Sequence, residues 1–214
     1  MRRIHKGREP RSLATYRRGG GTYENFNAGD EVRRALLTEQ GSICCYCMQR
    51  ISIRAMRIEH WESQSGYETR TVDYDNLLGA CCGGENLLPA DRLHCDVHRK
   101  NVPLHINPTQ PPPTCEQLLR YLPNGEITAE DKTVETDVDK TLNLNTKHLV
   151  DARKQLSDQL RSTLGREAKE DGRWPAELLQ AHIARWQSRD RDGHYREFCQ
   201  VVIYYLEKKL KKKI

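Results

Sequence analysis

The chain has 214 residues and a net charge of +5, with 36% hydrophobic and 30% charged residues. Such length suits one catalytic domain with helical additions or two small domains, and the low mean hydropathy of −0.83 excludes a large apolar core. No apolar run is long enough to span a membrane and the first residues lack the apolar region of a signal peptide, so a cytoplasmic protein with no membrane partner is expected.

Residues 1–29 form a basic segment, with Arg2, Arg3, Lys6, Arg8, Arg11, Arg17 and Arg18 ahead of Gly19-Gly20-Gly21. An irregular arm over nucleic acid or a partner is the expectation. Asp30 can cap a helix over 31–40 whose stripe is Val32, Leu36 and Leu37, with Gly41 as its stop. A cysteine turn follows at Cys44–Cys47. Residues 51–53 and 57–60 alternate like two strands around a turn at 54–56, which places His60 at the end of the second strand.

Residues 62–72 read as a polar loop, and 75–80 as a turn or short helix before Cys81. Cys82-Gly83-Gly84 resembles a flexible insertion, and 95–100 a short helix. Asn107-Pro108 and Pro111-Pro112-Pro113 close a module spanning 30–108. Within the remaining 109–214, Pro123-Asn124-Gly125 signals a hairpin. Leucines spaced three and four apart from Leu149 to Leu164, a start at Pro175, and a stripe through Phe198, Val201, Val202 and Tyr205 predict three helices. This half reads as a mainly helical subdomain for partner docking or scaffold. It ends in Lys208, Lys209, Lys211, Lys212 and Lys213, able to neutralise phosphates or simply to solubilise the terminus.

Of the eight cysteines, six cluster between 44 and 95. With no secretion signal, reduced thiols ligating zinc are favoured over disulfides. Cys44 and Cys47 have the spacing of a tight knuckle, and Cys81 and Cys95 supply the second pair despite thirteen intervening residues. Cys45 and Cys82 leave the register open by one, and His94 is another possible ligand. Cys115 and Cys199 read as ordinary half-buried thiols.

Between the cysteine pairs stands Ile58-Glu59-His60-Trp61. Hydrolysis of a phosphodiester needs a deprotonated water, neutralisation of the scissile phosphate and stabilisation of the leaving oxygen. A neutral histidine can take the proton, and a divalent cation can supply the rest. His60 is therefore the candidate base and Glu59 a cation ligand or orienting group. Asn76 would orient His60 or complete the cation's shell. Asp96 and His98 compete as the distal ligand, while Arg99 or Lys100 could hold the phosphate. Mg²⁺ or Mn²⁺ suits such oxygen donors, with Ni²⁺ a further possibility. Tyr46 and Trp61 are expected to pack around the zinc rather than act.

In this order the pieces resemble an HNH-type ββα-metal nuclease, and in particular the HNH endonucleases of bacterial retron and Septu-type anti-phage systems. The residues carrying the likeness are Ile4-His5-Lys6, Glu9-Pro10, Gln40–Cys47, Ile58-Glu59-His60, Tyr74–Leu78, Cys81 with Gly83-Gly84, Cys95-Asp96 with Lys100, and Leu142-Asn143-Leu144-Asn145. The widespread HNH pattern has histidine where Asp96 stands, whereas Cys-Asp is normal within the retron and Septu group. The resemblance implies DNA cleavage as the effector of a defence complex with an SMC/ABC-like ATPase. This chain carries no phosphate-binding G-x-x-x-x-G-K-[ST] loop of its own. An α+β protein is expected, with a zinc-stapled ββα-metal core and helical flanking regions. Its rivals are a zinc-bearing adaptor with a degenerate site and a stand-alone nuclease with its own sequence-reading element.

Overall fold

The computed structural model describes residues 1–26, 29–87, 89–168 and 174–212. Lys213 of the terminal lysine run lies outside them. The fold is α+β, with two separate two-stranded antiparallel sheets among helices.

Helix α1 (Arg11–Arg18) occupies the segment expected to be irregular. The N-terminus is no free arm: Met1 and Ile4 are buried, and the Ile4 amide donates to the Pro108 carbonyl at 2.8 Å. Its cations are largely used internally. Lys6 pairs with Glu39 at 2.9 Å, Arg17 pairs with Glu9 at 2.8 Å, and the Arg2 guanidinium lies 4.1 Å from the centre of the Tyr195 ring.

Helix α2 (Asp30–Gln40) has Asp30 and Glu31 in its first turn, where the helix dipole favours acids. It ends at Gly41 in the left-handed region (φ 57°), and a Cβ there would meet the Tyr195 ring at 2.4 Å. Gln40 then pins the last turn of the helix to the sheet. Its amide nitrogen donates to the Ile43 and Gly79 carbonyls, and its oxygen accepts from the Gly79 amide.

Strand β1 (Arg57–His60) pairs with β2 (Leu77–Ala80), with Glu59 opposite Leu78 and His60 opposite Leu77. This corrects the expected hairpin: 51–53 makes only an isolated bridge, Ser52 to Ala55, and 77–80 is a strand rather than a turn. All four residues of β2 are buried, so no alternation marks it as a strand.

The short helix α3 (Cys95–Arg99) follows, then α4 (Cys115–Leu118) and the expected hairpin of β3 (Leu119–Tyr121) and β4 (Ile127–Ala129). Helix α5 (Lys132–Thr136) leads through a π turn to α6 (Lys147–Glu167), α7 (Ala176–Gln187) and α8 (Cys199–Lys211). Pro175 is the N-cap of α7, as its ring suits.

One hydrophobic cluster runs from Met1 to Ile203, so the expected boundaries at 29/30 and 108/109 fall within chain that shares a core. Leu142-Asn143-Leu144-Asn145 is the seam. The Leu142 carbonyl accepts from the Cys95 amide at 2.8 Å, Asn143 donates to the Asp91 and Leu93 carbonyls, and Asn145 pairs with the backbone of Ile127. Among the described residues no helix is long and apolar enough to cross a membrane.

Candidate active site and metal centre

Cys44, Cys47, Cys81 and Cys95 are all buried, and their sulfurs lie within 4.8 Å of one another. The Cys44–Cys95 and Cys47–Cys81 sulfurs are 3.8 and 3.7 Å apart. Four thiolates about 2.3 Å from a tetrahedral zinc stand about 3.8 Å apart, so the donor set has the size of such a site. Backbone amides of Cys81 and Gln49 point at the Cys44 and Cys47 sulfurs, as thiolates require. Arg153 is fully buried with one guanidinium nitrogen lacking a hydrogen-bond partner. Burial holds its pKa down to about 10, while Tyr121, Cys47 and Cys95 pull it back up. Its guanidinium donates to the Gly125 and Leu144 carbonyls, and its buried charge has the sign that would offset a tetrathiolate centre.

The thirteen-residue gap closes at Gly83. Its carbonyl accepts from the His94 amide at 3.0 Å, and a Cβ on Gly83 would fall 2.2 Å from the His94 carbonyl oxygen. Cys45 is buried beside the cluster and Cys82 is exposed, and neither is in the quartet. His94 packs Nδ1 3.2 Å from the Cys95 sulfur, and burial lowers its pKa to about 4, so its ring is neutral.

A second site opens beside β1. Glu59, His60, Asp96 and Lys100 line a cleft of about 460 Å³ together with Arg57 and Tyr23. Because β1 ends at His60, both Glu59 and His60 face this cleft. One ring nitrogen of His60, Nε2, lies 2.8 Å from the Thr71 carbonyl oxygen, which can only accept. That contact puts the proton on Nε2 and leaves Nδ1 as a lone-pair nitrogen, 3.2 Å from the Gln64 amide nitrogen. Burial lowers the pKa of His60, favouring the neutral ring.

Asn76 does not touch the His60 side chain. Its oxygen accepts from the Glu62 amide, and its nitrogen donates to the Glu62 and Arg70 carbonyls. It thus closes the loop that presents Thr71 to His60.

Glu59 is 3% exposed. Tyr46 donates to it at 2.7 Å, and Arg99 forms a buried ion pair with it. Burial and the facing Asp96 carboxylate push its pKa up to about 8, against the opposing pull of Arg99 and Tyr46. Asp96 is held by Arg57 at 2.8 Å, and Arg57 also pairs with Glu85. Two carboxylates facing across an open cleft suit a hard cation. Among the described residues they have no third His, Cys, Asp or Glu close enough for a compact set, so an ion there keeps most of its waters.

Two expectations change. Arg99 is 1% exposed and donates to Glu59, Tyr46 and the His60, Trp61 and Val102 carbonyls, so its guanidinium is an internal brace rather than a phosphate ligand. His98 turns away from the cleft and meets the Thr141 carbonyl at 3.0 Å, leaving Asp96 as the residue of that pair at the site. Tyr46, expected only to pack, holds Glu59. Gln64, Arg57 and Tyr23 were missed. Nothing local marks them, although Tyr23 packs edge-on against the His60 ring with centroids 4.4 Å apart.

The chain thus carries a buried four-cysteine cluster that could hold a metal ion and a cleft lined by His60 and the carboxylates of Glu59, Glu85 and Asp96. No family model matches the chain. It is 25% identical over 204 residues to the "Retron Ec83 putative HNH endonuclease" of Escherichia coli, covering 73% of this chain and 79% of that protein. It is 28% identical over 155 residues to the "Retron Vc95 putative HNH endonuclease" of Vibrio cholerae serotype O1 biovar El Tor, covering 65% of this chain and 72% of that one. The chain is thus similar over most of its length to two retron proteins named as putative HNH endonucleases. Neither name carries the Septu part of the expected resemblance.

Proposed function

We propose that the protein is a metal-dependent endonuclease with a ββα-metal core, formed by β1, β2 and α3 and stapled by zinc on Cys44, Cys47, Cys81 and Cys95. It hydrolyses DNA phosphodiester bonds as the effector of an anti-phage complex with an SMC/ABC-like ATPase. The observation that carries this reading is His60. Its Nε2 is fixed by the Thr71 carbonyl, Nδ1 keeps the lone pair 3.2 Å from the Gln64 amide nitrogen, and the residue lines a cleft with Asp96 and Glu59.

In this scheme His60 accepts at Nδ1 the proton of a water aligned with the scissile phosphorus. The Thr71 carbonyl stabilises the imidazolium that results, through Nε2–H. Asp96 and Glu59 would hold a divalent cation such as Mg²⁺ or Mn²⁺, which would supply charge neutralisation on the phosphate and the leaving 3′ oxygen. Lys100, at the cleft mouth, holds a non-bridging phosphate oxygen. Arg99 and Tyr46 fix Glu59, and Asn76 acts through the loop.

The support for DNA and for the ATPase is the resemblance to retron nucleases. The test is incubation of wild-type and His60→Ala protein with plasmid and single-stranded DNA in Mg²⁺ or Mn²⁺, with and without the proposed ATPase partner. Cleavage lost in the variant supports the base. Cleavage only with the ATPase places control in the partner. No cleavage in any arm, with zinc bound, favours a zinc-bearing adaptor instead.

A further inference from the structure

A second cleft, of about 220 Å³, lies between α6, the turn after β3, and α8, and it shares no lining residue with the His60 cleft. Its walls carry Arg161 from α6 and Lys208, Lys209 and Lys212 from the end of α8, with no carboxylate among the lining residues. Tyr204 and Tyr205 also line it. Both rings are half-buried, and Lys208 and Lys209 sit over them at 5.9 and 5.5 Å.

Like Lys100 and Lys211 among the described residues, the three cleft lysines pair with no carboxylate, and they alone share one concavity with Arg161. On other surfaces Lys132, Lys140, Lys147 and Lys154 each touch a carboxylate. Among the described residues Lys208, Lys209 and Lys212 have none, and only Arg161 does, with Asp158 at 2.5 Å. Like charges lining one concavity repel, and a concave basic wall concentrates positive potential on whatever enters. The α8 dipole accounts for lysines in its last turns. It does not account for Arg161 from another helix or for the tyrosine rings in the same cleft.

We propose that this cleft binds the phosphate backbone of a nucleic-acid strand, apart from the cleavage site, with Tyr205 placed to stack an unpaired base. Lysines and arginine supply the phosphate contacts, and an aromatic face accepts any base, which is the pairing that single strands exploit. The ligand class rests on the nuclease reading, but the site stands on its own geometry.

The test is fluorescence anisotropy of a labelled single-stranded oligonucleotide with full-length His60→Ala protein, which leaves the strand intact. A Lys208→Ala, Lys209→Ala, Lys212→Ala set is compared with a charge-matched Lys132→Ala, Lys140→Ala, Lys147→Ala set. The first should weaken binding about tenfold or more near 0.1 M salt and make the salt dependence shallower by about 2 log units per decade. The control set should stay within about twofold. Tyr205→Leu should cost about fivefold for the single strand and less for a blunt duplex. Footprinting Lys208 and Lys209 by acetylation with and without oligonucleotide, on unmutated lysines, gives a reading independent of variant folding. Equal losses in both lysine sets, or no loss and no protection, would overturn the proposal. Binding that depends on these lysines in a wild type that never cleaves would remove the nuclease reading alone. Cleavage with no effect of the first lysine set would remove this site alone.

Discussion

His60, the proposed base, is held by a backbone carbonyl on one ring nitrogen and by the Gln64 amide on the other. The Thr71 carbonyl fixes its tautomer, and burial keeps the ring neutral. His60→Ala is expected to lower cleavage by about 10²–10⁴-fold while zinc content and circular dichroism stay unchanged. A variant that cuts normally would move the base elsewhere. The sign of the pH dependence follows from the direction of the shift. A base must be unprotonated, so activity falls as pH drops through the His60 pKa, and that acid limb should lie below the ordinary value of 6.5. A limb near 8 would report Glu59, whose pKa burial pushes up to about 8, whereas a His60 ring seen by NMR to titrate above 6.5 would contradict the assignment. Arg99 belongs to the same scale. Removing it leaves Glu59 buried without its cation, so Arg99→Met should cost about 3–5 kcal/mol in urea melts. Glu59 and His60 were legible because they adjoin on one strand end. The burial of Arg99 was not, because adjacent helix residues face different ways and sequence does not say which one points inward.

Among the elements, the loop from 61 to 76 is the one that presents Thr71 to His60. Asn76 holds it through three hydrogen bonds to Glu62 and Arg70. Asn76→Ala is expected to reduce kcat and to destabilise by about 1–3 kcal/mol, because buried backbone partners lose their bonds. Raising Mg²⁺ should not restore the rate, whereas rescue by Mg²⁺ would show that Asn76 ligates the cation. Helices α2, α6, α7 and α8 were legible from apolar spacing, with Gly41 and Pro175 marking two ends, although the N-cap of α2 is Gly29 rather than Asp30 and α8 starts at Cys199 rather than near His194. The partner of β1 was not. Residues 51–53 alternate and lie close in sequence, whereas β2 is buried on both faces and pairs only after the intervening loop folds.

For the whole molecule, the cysteine cluster and the shared core are one structure. The Cys95 amide bonds to Leu142, and the hydrophobic cluster runs from Met1 to Ile203. Stripping metal with a chelator, or replacing Cys81 by Ser, should therefore lower the melting temperature of the helical half together with the cysteine region. Elemental analysis of the untreated protein should return about one zinc per chain. A helical half that melts unchanged after metal loss would show that the two fold separately.

Residue chemistry and short-range periodicity were enough for the four cysteines, the Glu59-His60 pair, the helices and the hairpin at Pro123-Asn124-Gly125, because each depends on ligand type or on neighbours a few positions away. Tertiary structure alone decided which strand pairs with β1, that Arg99 braces Glu59, that Asp96 and not His98 reaches the cleft, and that the basic N-terminus is packed rather than free. Those outcomes depend on which buried polar groups find partners across long stretches of chain, and that balance is struck only when the core closes.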